Sequence, residues 1–284
     1  MKSILLAGER PLFTERYNRS SFRFAHTLHE LAIFDIPNLV EASRRLPGAY
    51  YSTDDASVGD GWTADTKARP SLQETIATIA DTSSLVLMKG VADDPQFAPV
   101  FRQILAELKD QAGPALSGDV SEARATLVIS SPHRVTPYHI DAETNFLFQL
   151  RGEKIVNVFD PFDRTLLTDI ELERFYAGDV SAATYKPDRQ PNAAVFPFAP
   201  GNGLHIPLHA PHWVTNGDAV SVAISVNFSL HSNTRLSQLY KFNHLMRKSG
   251  LAPTPPGAQA WQDRLKLVAV GGLAAARRGR RGGR

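Results

Sequence analysis

Thr136–Lys154, TPYHIDAETNFLFQLRGEK, sets a His-x-Asp pair, His139 and Asp141, at the mouth of an apolar run that closes on Arg-Gly-Glu-Lys. The run Asn145–Leu150, Phe- and Leu-rich and bounded by turn formers, has the length of a buried strand and is too short for a helix. In a strand, residues i and i+2 face the same side, so His139 and Asp141 can address one point in space.

The same strand-length spacing extends on both sides of this segment. From about residue 116, short β-rich runs follow one another: ATLVISS, KIVNVFDP, AAVFPFAPG, GLHIPL, HWVTNG and AVSVAISVNFSL, separated by Gly, Pro, Asn and Asp. Such a series reads as a sandwich or barrel, interrupted by one short helix around TDIELERFYAG. Asn216-Gly217 between apolar runs predicts a hairpin.

Residues 1–115 read as mainly helical. Pro37 near the start and Pro47-Gly48 at the end bracket one helix, and Ser71–Glu74 has the form of a capping box. SSLVLMKGV reads as a buried strand. Phe97, Val100, Phe101, Ile104, Leu105 and Leu108 then fall on one face of a helix that stops at Gly113-Pro114. Toward the C-terminus, Leu236, Leu239, Phe242 and Leu245 are spaced as a helix, followed by a Pro-rich linker and an Arg/Gly-rich segment, 271–284, expected to be flexible.

Composition narrows the chemistry. The 284 residues are 43% hydrophobic, enough for a sizeable core, and contain no cysteine. Thiolate chemistry and disulfides are excluded, and a metal would have to be held by His, Asp, Glu or water. The net charge is +2, but five arginines lie in the last eight residues, so the remainder sums to 2 − 5 = −3. The basic balance belongs to that end of the chain, and nucleic-acid binding through it is not expected. No apolar run reaches the roughly 18 residues of a membrane span, and the N-terminal apolar stretch is too short for a signal-peptide core, so the chain reads as cytoplasmic.

The histidines concentrate near the strands. About seventy positions after His139, HIPLHAPHW brings His205, His209 and His212 together. Two imidazoles and one carboxylate leave open positions on a divalent ion, a donor set that suits ferrous iron taking a bidentate cosubstrate and dioxygen.

TPYHID, NFLFQLRGEK, IPLHAPHWV and SVAISVNF together resemble the JmjC/cupin-like branch of the Fe(II)- and 2-oxoglutarate-dependent oxygenases, in particular the group of the asparaginyl hydroxylase acting on hypoxia-inducible factor. The resemblance covers roughly residues 125–230. It implies a mainly β fold with added helices, whose double-stranded β-helix (cupin, or jelly-roll) core spans 116–232. A helical N-terminal region, 1–115, would pack on that core, and a C-terminal helical segment, 233–270, would form a homodimer interface. It implies His139, Asp141 and His212 as metal ligands, with Thr136 and Lys154 holding the far carboxylate of 2-oxoglutarate and Asn145 and Asn227 near its metal-binding end. The implied activity is that of a dioxygenase hydroxylating a protein side chain or small molecule.

Two departures stand out. The family's GWWH before the distal histidine is HAPH here, so His209 competes with His212 as distal ligand, and GNG around Asn202 lacks the family's acidic turn residue. Two rival readings follow: a non-catalytic metal-binding cupin, and a zinc or manganese cupin hydrolase or isomerase with no need of Lys154. Substrate selection is expected in the mainly helical first hundred residues and in residues 168–192, because the strands are committed to metal and cosubstrate.

Overall fold

The computed structural model describes residues 3–5, 10–46, 49–52, 55–61 and 70–281. In chain order it contains α1 (Arg10–Arg16), β1 (Phe22–Ala25), α2 (Ile36–Ser43), β2 (Ala49–Ser52), α3 (Leu72–Ala77), β3 (Leu85–Met88), α4 (Ala98–Ala112), α5 (Pro114–Ser117), β4 (Val120–Ser130) and β5 (Val135–His139). There follow β6 (Thr144–Arg151), β7 (Lys154–Val158), α6 (Asp169–Tyr176), β8 (Ala194–Phe198), β9 (Asn202–Ile206), β10 (His212–Asn216), β11 (Ser221–Leu230), α7 (His231–Lys248) and α8 (Ala260–Arg281).

The strands form two antiparallel sheets, a seven-stranded one in the order β1-β9-β6-β11-β4-β3-β2 and a four-stranded one in the order β5-β10-β7-β8. From β4 to β11 the chain repeatedly crosses between the sheets, which is the double-stranded β-helix of a cupin or jelly-roll core. β1 extends the large sheet beside β9, and β3 and β2 extend it beside β4.

Side-chain alternation explains why β6 reads as a continuous apolar run. Phe146, Phe148 and Leu150 face outward into a core shared with the N-terminal elements, while Leu147 faces the barrel interior with Val156, Leu204 and Ala223. Both faces of the strand are therefore covered. Phe13 from α1 closes the outer core, with ring centroids 5.0 Å from Phe22 and 5.8 Å from Phe146. Burying each such ring contributes about 1.5–3 kcal/mol. Gly203 on β9 permits this packing, since a Cβ there would meet the Phe24 ring at 2.1 Å.

Local signals placed several helices well. Phe101, Ile104 and Leu108 form the buried stripe of α4, and Gly113 ends that helix with φ +63. The Ser71 side chain caps α3 by accepting from the Glu74 N–H at 3.2 Å. The expected helix end at Pro47-Gly48 lies outside the described residues.

Other expectations are corrected. Asn216-Gly217 does not turn a hairpin, because β10 and β11 lie in opposite sheets. Asn216 instead donates to Ser130 Oγ and the Ser131 carbonyl at 2.7 and 2.8 Å, anchoring a crossover. The N-terminal region supplies three strands where one was expected, since FRFA and AYYS are too short to announce themselves. The helix expected from Leu236, Leu239, Phe242 and Leu245 is present as α7, with Asn233, Leu239, Tyr240 and Asn243 buried and Leu245 exposed. Helix α8 runs on through residues 271–281.

Candidate metal centre and cavity

β5 and β10 pair antiparallel with His139 opposite His212, bringing the two rings to a centroid distance of 4.1 Å. β5 ends at His139, so Asp141 sits just past the strand, in the connection to β6. One potential ligand atom from each of His139, Asp141 and His212 lies within 4.8 Å of the others, and the closest His212–Asp141 approach is 3.8 Å.

The tautomers are fixed by the backbone. Nδ1 of His139 donates to the Pro137 carbonyl at 2.7 Å, and Nδ1 of His212 donates to the Ala210 carbonyl at 3.0 Å. In its neutral form each ring so held carries its lone pair on Nε2, the atom a metal would use. Burial and the neighbouring His139 push His212 down to about 4, which keeps it neutral and ligand-competent. The donor set of two nitrogens and one carboxylate fits a divalent transition metal with open coordination positions.

The structure separates the clustered histidines. His209 has φ +62 and its ring turns to the Tyr176 hydroxyl. His205 is fully buried, donating from Nδ1 to the Asn145 carbonyl and accepting the Asn18 N–H at Nε2, both at 3.0 Å. Burial pushes each of these two histidines down to about 3. Of the three, only His212 joins the cluster with His139 and Asp141.

A cavity of about 940 Å³ opens from this cluster across the inner face of the large sheet. Thr136, opposite Val214 on β10, and Lys154, opposite Asn216, both line it. His212 and Asn216 are four residues apart on β10, so the cluster and the Lys154 level are separated by about 13 Å of strand. Lys154 is 5% exposed, and among the described residues no carboxylate or hydrogen-bond acceptor pairs with its ammonium. Desolvation alone pushes it down to about 7. A buried cation without a counter-ion at the wall of a cavity fits an anionic ligand.

Asn145 and Asn227 face each other across β6 and β11, with Asn145 Nδ2 donating to Asn227 Oδ1 at 2.7 Å and to Ser225 Oγ at 2.6 Å. The buried Asn145 Oδ1 has no partner. Thus all seven residues singled out from the sequence line one cavity.

Two contributors went unnoticed in the sequence. Glu143, two residues beyond Asp141, is pushed up by burial and by the Asp141 charge and pairs with Arg124 at 3.2 Å. Its i+2 spacing from Asp141 was the available signal. Arg124 gave none, because its place beside Glu143 depends on the pairing of β4 with β11. Phe175, at the end of α6, also lines the cavity.

No family model matches the chain, and no curated protein matches it. Among solved structures, Escherichia coli ribosomal oxygenase YcfD aligns at TM-score 0.55 and 14% identity, covering 95% of this chain and 67% of that one. A further structure of E. coli ycfD gives TM-score 0.53 at 14% identity over 95% and 68% of the two chains. The YcfD structure in complex with cobalt and 2-oxoglutarate gives 0.54 at 16% identity over 94% and 67%. These likenesses show that the two chains share a fold.

Proposed function

We propose that this chain is an Fe(II)- and 2-oxoglutarate-dependent dioxygenase that hydroxylates its substrate. The observation carrying the reading is one cavity that joins the His139–Asp141–His212 cluster to an uncompensated, buried Lys154. When bound, iron and 2-oxoglutarate supply the oxidation, in which dioxygen gives one oxygen atom to the substrate and one to the succinate formed with carbon dioxide.

The residues divide the work. His139, Asp141 and His212 would hold the metal through two imidazole Nε2 atoms and a carboxylate. Lys154 and Thr136 orient the cosubstrate by a charge-assisted hydrogen bond and a hydroxyl contact, which discriminates a dicarboxylate from a monoacid. Asn145 and Asn227 present amide groups nearer the metal. Apolar walls from Leu147, Ile206 and Val214 limit water around the reacting groups.

The cavity exceeds what a five-carbon dicarboxylate fills, and its remaining lining includes Arg124, Glu143, Phe175 and Val180. Phe175 and Val180 lie within 168–192, which supports substrate selection by that segment. The solved neighbour is described as a ribosomal oxygenase, so a protein side chain is the first substrate class to test and small molecules the second. Dependence on 2-oxoglutarate, an intracellular metabolite, supports a cytoplasmic setting; no helix among the described residues is long and apolar enough to cross a membrane.

A homodimer through the C-terminal helices belongs to the same reading. Trp261, Leu265 and Val268 form an exposed stripe at i, i+4 and i+7 on α8, with Leu245 exposed on α7. Sedimentation of Leu265→Glu beside wild type tests this, and a wild-type monomer removes it.

Anaerobic titration with Fe(II) and 2-oxoglutarate tests the catalytic reading. Wild type should develop a visible charge-transfer absorption that needs both components, and Asp141→Ala should not. Iron binding without that absorption would instead indicate a metal-binding cupin lacking oxygenase chemistry.

A further inference from the structure

Between the two loops that carry the proposed ligands runs a part-buried chain of hydrogen bonds that no step of the proposed reaction uses. Asn233, near the start of α7, donates from Nδ2 to the Ala142 carbonyl at 2.6 Å, and Ala142 is the residue after Asp141. That bond orients the amide, so Asn233 Oδ1 is an acceptor toward the Tyr176 hydroxyl at 2.8 Å. The hydroxyl has a single proton and spends it on Asn233, so toward His209 it accepts, and His209 carries its own proton on Nε2. The direction of every bond is thereby set: His209 to Tyr176, Tyr176 to Asn233, Asn233 to the Ala142 carbonyl.

The ends of this chain make it more than packing. His209, buried at φ +62, lies in the turn leading to Ala210, whose carbonyl accepts from His212 Nδ1. The other end grips the peptide beside Asp141. Tyr176 itself stacks on Tyr240 at 5.8 Å and 7° and is braced by Phe175, so its ring position does not depend on the hydroxyl. Burial holds the phenol well above its usual range, and it remains a protonated donor.

We propose that Tyr176 is a positioning residue whose hydroxyl, through His209 and Asn233, locks the Asp141 loop to the turn that orients His212 and so sets the geometry of the metal site. This rests on the metal-binding part of the function proposed above. It also accounts for HAPH: here the first histidine of that stretch is a brace and the second faces the metal cluster. Outer-shell groups of this kind shift metal affinity by about 10- to 100-fold.

Cobalt(II) titration of the full chain, followed by its visible ligand-field bands, tests the brace without requiring activity. Tyr176→Phe keeps the ring and removes the relay, while Asn233→Asp keeps the acceptor for Tyr176 and removes the donor to Ala142. Both should bind cobalt about tenfold more weakly with shifted bands, and Tyr240→Phe, which retains the stack, should match wild type. If Tyr176→Phe only lowers the melting temperature of the metal-free protein, leaving affinity and bands unchanged, the role is structural and the proposal is overturned. Should that variant not fold, Asn233→Asp decides by the same two readouts. Failure of wild type to bind cobalt sinks the metal reading itself, an outcome distinct from binding that Tyr176→Phe leaves untouched.

Discussion

Replacing Lys154 by Met should stabilise the ligand-free protein while abolishing 2-oxoglutarate binding. The ammonium is buried, has no counter-ion among the described residues, and is pushed down to about 7 from an ordinary value near 10.5. A lysine lowered on folding favours the unfolded state wherever the unfolded chain holds the extra proton, from about pH 10.5 downward. At pH 7 the shift corresponds to about 4 kcal/mol against folding, and at pH 9 to about 2 kcal/mol. Met is apolar, similar in length and uncharged, so it removes the penalty at little packing cost. Denaturant unfolding of wild type and Lys154→Met at both pH values should therefore show the variant more stable, with the advantage roughly halved at pH 9. Isothermal titration with 2-oxoglutarate in the presence of cobalt should show binding to wild type alone. A variant less stable than wild type at pH 7, or one that retains cosubstrate affinity, would refute the assignment of Lys154 as an unpaired cation awaiting an anion.

Three further outcomes follow. Because only the charged ammonium attracts a dicarboxylate, 2-oxoglutarate affinity should fall about tenfold between pH 6 and pH 8 as the charged fraction drops through a midpoint of about 7; calorimetry across that window measures it, and a flat profile contradicts it. His212→Ala should abolish cobalt binding, whereas His205→Asn should leave the bands in place while lowering thermal stability, since His205 bonds only to backbone groups. Gly203→Ala should destabilise by about 1–3 kcal/mol through collision with Phe24, and Phe24→Leu in the same chain should recover part of the loss, as read by urea unfolding.

What the sequence determined by itself were features whose cause is local. The period of the strand runs, the α4 stripe and the Ser71 cap are set by residues within a few positions of one another, and each is present in the structure. The donor types were legible too, because a chain without cysteine restricts a metal to few side chains. Tertiary structure decided what depends on partners distant in sequence. Asn216-Gly217 has the local chemistry of a hairpin, yet the polar groups of Ser130 and Ser131, more than eighty residues earlier, turn it into a crossover. Distant contacts separate the three histidines of HIPLHAPH: His205 meets Asn18, His209 meets Tyr176 and His212 meets His139. The isolation of Lys154 is likewise invisible in one dimension, because a missing counter-ion is a property of the cavity wall that the paired strands assemble around it.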